Sequence, residues 1–194
     1  MRAAAQDLRL TPSQVLRERR EALARANAWK RLAVSVGCTL LCTLILFGLV
    51  FGPAAVHGSS MEPAFRENDL VLYYRLQRRY AAGDVVILQA EAEGLRADAR
   101  GLRKVVKRVV GLPGDTVDVG PEGGVFINGE LLEEPHARGA TLRKEIPYPL
   151  RLGPGEYFVL GDNREHSMDS RAFGAVTAAQ IKGRVLVVLR MKKP

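Results

Sequence analysis

The stretch LAVSVGCTLLCTLILFGLVFG, Leu32–Gly52, decides the fold, because it runs for 21 residues without a charge. As a helix rising about 1.5 Å per residue it spans roughly 30 Å, the thickness of a bilayer core. A helix that is apolar all round has no polar face to offer the surface of a small soluble domain. The rival reading is a cleaved signal peptide, but its apolar core usually has about 7–15 residues close to the N-terminus. This run is longer and begins only after residue 31, so residues 32–52 are read as an uncleaved transmembrane helix.

The charge outside this run gives the orientation. The chain has 194 residues, a net charge of +8 and 47% hydrophobic residues. Such a basic balance raises nucleic acid as a partner, but the charge is concentrated at the front. Residues 1–31 carry eight basic side chains against three acidic ones, and the rest of the chain is only +3. Positive charge stays on the cytoplasmic side, which makes residues 1–31 a cytoplasmic basic arm and residues 53–194 an extracytoplasmic domain. Within the arm, Thr11-Pro12-Ser13-Gln14 reads as a capping box that opens a short basic helix, either lying on anionic lipid or solvated. Both cysteines, Cys38 and Cys42, fall inside the span, so residues 53–194 contain no thiol and no disulfide.

After the span the period changes from helical to strand-like, with short β-branched runs broken by Gly, Pro, Asn and Asp. Strands are expected near Asp69–Tyr74, Asp84–Gln89, Leu102–Val110, Thr116–Val119, Val125–Ile127, Glu156–Leu160 and Gly183–Arg190. Asn128-Gly129 suits a type I′ hairpin turn, which needs positive φ at both central residues. Ala90–Arg100 reads as an exposed loop. The fold class is therefore mainly β, with one N-terminal transmembrane helix and one domain behind it.

Three histidines scattered at His57, His136 and His166 form no metalloprotease pattern, and no metal or other cofactor is expected. Other residues suggest hydrolysis without one. Gly58-Ser59-Ser60-Met61-Glu62-Pro63 places serines in a turn just beyond the span. Alternation along Lys104–Val110 sets Lys107 on the face of Val105 and Val109, where loss of solvation lowers an amine pKa. Lys107 could instead snorkel from a strand edge. The loop Gly161–Arg171, dense in polar and ionic groups directly after an apolar strand, suits a site scaffold, although Asp and Asn also simply shape turns.

Ser60-Met61-Glu62-Pro63, Gly83-Asp84-Val85-Val86, Lys107–Asp115 and Gly161-Asp162-Asn163-Arg164 with Ser167, Asp169, Ser170 and Arg171 resemble, in order, the sequence boxes of type I signal peptidases. The resemblance covers the anchor and nearly all of residues 53–189. It implies a signal-peptidase-type β-rich catalytic domain at the bacterial cytoplasmic membrane, acting on the signal peptides of secreted preproteins with small residues before the cleaved bond. It implies Ser60 as nucleophile, Lys107 as general base, Ser167 as hydrogen-bond partner of the lysine, and an Asp169–Arg171 ion pair holding the loop. One branch of that family has a serine two residues before the nucleophile. Gly58 stands there in this chain, and the oxyanion donor assigned is the backbone N–H of Ser60. Glu165-His166 replaces the usual Asp-Asn pair, without a catalytic role for His166, and Ala172 replaces an aromatic. Substrate is expected to lie extended along a sheet edge.

At its reference pKa of about 10.4, Lys107 would be neutral in only about one molecule in 2,500 at pH 7. The site must bring that pKa down to about 7.4, at a cost of about 4 kcal/mol. Met61 and Phe65 are candidates for seating the domain on the bilayer, with core packing the other reading of Met61. Among other assignments, a self-cleaving repressor-type Ser–Lys domain normally follows a DNA-binding segment and not an anchor. A specialised relative maturing one pilin or conjugation protein would differ in pocket shape. A non-catalytic membrane-tethered β module would have no need of both Ser60 and Lys107.

Overall fold

The structure is a computed structural model that describes residues 12–90 and 103–190. The chain divides into two compact units, with the boundary between Gly48 and Leu49.

The first unit is helical. Helix α1 runs from Pro12 to Val50 without interruption, so the basic helix expected in the arm and the apolar span form one element. Its segment Asn27–Val50 is long and apolar enough to cross a bilayer. Cys38 and Cys42 are free and exposed there. Thr11, the expected cap, lies outside the described residues. The helix also ends earlier than the apolar run. Phe51 and Gly52 belong to β1 (Phe51–Ala55), where they pair with Tyr74 and Tyr73 of β2 (Leu70–Tyr74). Pairing with a neighbouring strand outweighs the local preference of an apolar stretch to continue a helix.

The second unit is mainly β. The remaining elements are β3 (Val85–Ala90), β4 (Arg103–Gly111), β5 (Thr116–Val119), β6 (Val125–Ile127), β7 (Glu130–Leu131), β8 (Leu150–Arg151), β9 (Glu156–Leu160), α2 (Ser170–Phe173), β10 (Val176–Thr177) and β11 (Ile181–Leu189). Seven strands form one antiparallel sheet in the order β1-β2-β11-β3-β4-β9-β10, and four form a second in the order β7-β6-β5-β8. Every expected strand is present within two residues of its expected ends, except that Leu102 lies outside the described residues. Of the loop expected over Ala90–Arg100, Ala90 ends β3 and the rest also lies outside them.

Alternation packs β3, β4 and β9 on both faces. One apolar cluster joins Val86, Leu88, Val109, Tyr157 and Val159. A second joins Val56, Met61, Phe65, Ile87 and Val106, and a third lies between the sheets around Val117, Leu152, Phe158 and Leu160. Met61 and Phe65 are only 1% and 7% exposed, so they are core residues and not a bilayer seat. Their burial removes apolar surface from water and fixes the turn that carries Ser60.

Strand β4 is flanked by β3 and β9, with Lys107 opposite Val86 and Arg108 opposite Leu160. The turn after Phe65 is tied back by Val56 N–H to Asp69 O at 2.9 Å and Asn68 N–H to Val56 O at 2.9 Å. These ties place the Ser60 turn and the β4 lysine against the loop that follows β9.

Candidate active site

Ser60 sits in a tight turn in which Glu62 N–H donates to Ser59 O at 3.1 Å and Phe65 N–H to Met61 O at 2.9 Å. The loop after β9 grips this turn. Asn163 N–H donates to Ser60 O at 3.0 Å, and the Asn163 amide Nδ2 donates to Ser59 O at 3.2 Å. Gly161 underlies the contact, since a Cβ there would come 2.5 Å from Ser60 O and overlap the Ser167 side chain. Only glycine leaves room at that spot.

Lys107 projects from β4 and its Nζ lies 2.8 Å from Ser60 Oγ. The lysine is 3% exposed, so it does not snorkel to solvent. Burial pushes its pKa down from 10.5 to about 8, and Asp169 and Asp162 pull it back up while Arg171 and Lys144 push it further down. The physical sequence is plain: loss of hydration disfavours the ammonium more than the two carboxylates favour it. At about 8 the amine is neutral in roughly one molecule in ten at pH 7, compared with about one in 3,000 at a pKa of 10.5.

The Ser60 N–H donates no hydrogen bond within the described residues, which leaves it free for a developing oxyanion. Gly58 has φ +78°, a left-handed conformation that L side chains resist. The absence of a serine hydroxyl at this position therefore agrees with the backbone found here.

Asp169 and Arg171 form a two-pronged pair, Nε to Oδ1 and Nη2 to Oδ2 both at 2.8 Å, and they are 0% and 1% exposed. Asp169 also caps α2 and accepts from Gly161 N–H at 3.1 Å, while Arg171 Nη2 donates to Arg164 O at 2.6 Å. Burial alone would raise the Asp169 carboxyl, but the hydrogen bonds and charge of Arg171, helped by Ser167 and Gly161, outweigh it and hold the pKa below its usual value. The pair thus ties both ends of the loop to the end of β9.

Ser167 is buried, but its hydroxyl makes no hydrogen bond of good geometry to Lys107 or to any other described residue. It still lies near enough to Asp169 to help lower that carboxyl. The expected Ser167–Lys107 hydrogen bond is therefore absent. The carbonyl of Ser167 instead accepts from Lys144 Nζ at 2.7 Å, which turns the backbone and not the hydroxyl into the anchored group.

Several supporting residues were not foreseen. Arg108, next to the lysine, pairs two-pronged with Asp162 at 2.8 and 2.7 Å and reaches Gly83 O at 3.0 Å. Buried Arg164 binds Gly161 O at 3.0 Å, Glu134 Oε1 at 2.5 Å and the Thr141 hydroxyl. Arg138 bridges the same loop through its backbone, with its N–H on Asp162 O and its carbonyl accepting from Arg164 N–H. The signal in the sequence was the charge density of Gly161–Arg171, but the partners lie 23 to 54 positions away. His166 Nδ1 lies 3.3 Å from Asn163 Oδ1. Because Asn163 uses its Nδ2 on Ser59 O, its Oδ1 is left to accept from an Nδ1–H of His166.

The arrangement offers a serine hydroxyl, a buried amine within hydrogen-bond reach and an unoccupied backbone N–H, which is what nucleophilic acyl transfer needs. A family described as signal peptidase, peptidase S26, matches residues 29–190 of the chain. Signal peptidase I of Bacillus caldolyticus is 33% identical over 168 residues, covering 77% of this chain and 84% of that protein. Signal peptidase I of Bacillus licheniformis is 31% identical over 157 residues, covering 74% and 79%. The solved structure of a signal peptidase I from Enterococcus faecalis is 30% identical with a TM-score of 0.43, covering 56% of this chain and 97% of that one.

Proposed function

Since the chain belongs to the signal peptidase family S26, a family of serine peptidases that cleave signal peptides, we propose that it is a membrane-bound endopeptidase using a Ser60–Lys107 dyad. The observation that carries this reading is the 2.8 Å approach of Lys107 Nζ to Ser60 Oγ in a site that lowers the amine pKa to about 8.

Neutral Lys107 takes the proton of Ser60 as Oγ attacks the carbonyl of the scissile peptide bond. The oxygen of that carbonyl becomes an oxyanion, stabilised by the Ser60 N–H. Collapse of the tetrahedral intermediate breaks the C–N bond, and Lys107 returns its proton to the leaving amine, the new N-terminus of the mature protein. Lys107, neutral again, then takes a proton from water, which attacks the ester on Ser60. The bond to Ser60 Oγ then breaks, Lys107 returns its proton to that oxygen, and the signal peptide leaves with a free C-terminal carboxyl group. Asp169 and Arg171 do not touch the reacting atoms in this scheme. They hold the loop that presents Asn163 and Gly161 to the Ser60 turn.

Helix α1 serves as the anchor, with the basic arm cytoplasmic and the β domain on the far side of a bacterial cytoplasmic membrane. The substrate lies extended, with small side chains entering pockets before the cleaved bond. The test is to add a purified preprotein to the full chain in liposomes and sequence the new N-terminus. One cut directly after a small-x-small motif is expected, and an uncut panel of preproteins would contradict the reading.

A further inference from the structure

Ser60 stands at a boundary between apolar and polar ground. On one side Val56, Met61 and Phe65 are packed with Val106 in a buried cluster. On the other, a cleft of about 500 Å³ is lined by Ser59, Glu62, Arg138, Asn163, Glu165 and His166. The cleft opens beside the nucleophile, because Ser59 and Glu62 flank Ser60 and Asn163 binds the carbonyls of both Ser59 and Ser60.

Three charges on its walls, those of Glu62, Arg138 and Glu165, form no ion pair among the described residues. Arg138 and Glu165 are exposed, yet neither is free to drift from the site. The Arg138 backbone is bridged to Asn163, and Glu165 lies between Arg164, which is pinned by its own hydrogen bonds, and His166, which is bonded to Asn163. The Glu165 carboxyl group lies over Gly139, the residue after Arg138, where a Cβ would stand 3.0 Å from it. Fixed backbone with unpaired charge at the tip is the arrangement expected of a surface that reads charge on a ligand.

A peptide cut at Ser60 must extend past it in both directions. The residues before the bond are small and apolar in the proposed function, so a cleft walled by charged side chains does not suit them. We infer that the polar cleft is the subsite for the first residues after the cleaved bond, and that Arg138 and Glu165 make the enzyme sensitive to their charge. Arg138 favours an acidic side chain there, and Glu165 favours a basic one. This inference rests on the signal-peptide reading and adds a determinant on the mature side of the bond.

The experiment uses the full chain in detergent and two synthetic peptides with one signal-type cleavage site, identical except for Asp or Lys at the second residue after the bond. The ratio of kcat/KM for the two is measured for wild type, Arg138→Glu and Glu165→Lys, with each cut located by mass spectrometry. Arg138→Glu is expected to move the ratio toward the Lys peptide by roughly fivefold, and Glu165→Lys toward the Asp peptide by a similar factor, as befits partly solvated charges. Because each ratio is taken within one protein, partial misfolding cancels. Cleavage by all three with ratios within twofold of wild type overturns the subsite while leaving the peptidase reading intact. If wild type cuts neither peptide, the peptidase reading fails and the subsite assignment falls with it.

Discussion

Lys107 puts activity and stability in opposition. Its folded pKa of about 8 lies below the 10.5 of an exposed amine, so the unfolded chain binds more protons between those two values. Stability therefore rises as the pH climbs from about 8 toward 10.5, and below about 8 the buried ammonium costs the fold about 3 kcal/mol. Lys107→Met, which keeps the stem and removes the amine, should abolish cleavage and yet stabilise the chain by roughly 2 kcal/mol at pH 7, visible as a higher midpoint in denaturant. An inactive variant that is also less stable would show that the amine is a structural contact and not a strained base. Activity should follow the neutral form, so kcat/KM should rise with pH and level off above an apparent pKa of about 8. A profile flat from pH 6 to 9 would contradict the assigned base. At this scale strand alternation placed Lys107 on an apolar face, but the roles of Ser60 and Lys107 came from the resemblance, since a serine in a turn or a lysine in a strand is a weak pattern on its own. The Arg108–Asp162 and Arg164–Glu134 pairs were not readable, since ionic partners 54 and 30 positions apart leave no periodic trace. Ser167 was assigned a hydrogen bond to the lysine, and the buried hydroxyl makes none.

The loop from Gly161 to Arg171 is the element that converts a sheet into a site. It is anchored at Gly161 N–H by Asp169, at Asn163 by Ser60, and at Arg164 by Glu134. Gly161→Ala would place a methyl group against Ser60 O and Ser167. It should lower kcat by on the order of 100-fold, since displacement of a nucleophile by about 1 Å has that effect. Circular dichroism should still show the β fold, and an Ala variant with wild-type kcat would mean the loop is not gripping the Ser60 turn. Arg171→Leu leaves the Asp169 carboxylate buried without its partner and should cost about 3–5 kcal/mol, read from denaturant unfolding. The stability that this pair supplies is present above about pH 4 and lost as the pH falls through the lowered Asp169 pKa. Long elements with a clear period were legible in advance. So was the hairpin at Asn128-Gly129, where φ is +55° and +87° as a type I′ turn requires. The two-residue strands β7, β8 and β10 were not, because two residues carry no alternation. β1 was hidden by its Gly52-Pro53 and by the apolar run that precedes it.

For the whole molecule, the proposed function gives one helix the anchoring and one β unit the chemistry. The helix ends at Val50 and Ser60 follows after ten residues, with β1 and the Val56–Asp69 tie occupying the interval. The strand order β2-β11-β3-β4-β9 was not written in any local pattern, since it joins segments from both ends of the unit. What was legible was the order of features along the chain: basic arm, apolar run, serine turn, lysine strand, ionic loop. Proton transfer between Ser60 and Lys107 needs no bound metal, so cleavage should continue unchanged in excess EDTA, and loss of activity that added zinc restores would contradict this account.

The central claim is tested most directly by single-turnover cleavage of one preprotein by wild type, Ser60→Ala and Lys107→Ala, each checked for its fold by circular dichroism. Wild type should release a product with the expected mature N-terminus, while both folded variants should fall by at least about 10⁴-fold. Full activity in folded Ser60→Ala or Lys107→Ala would show that the dyad does not carry the reaction.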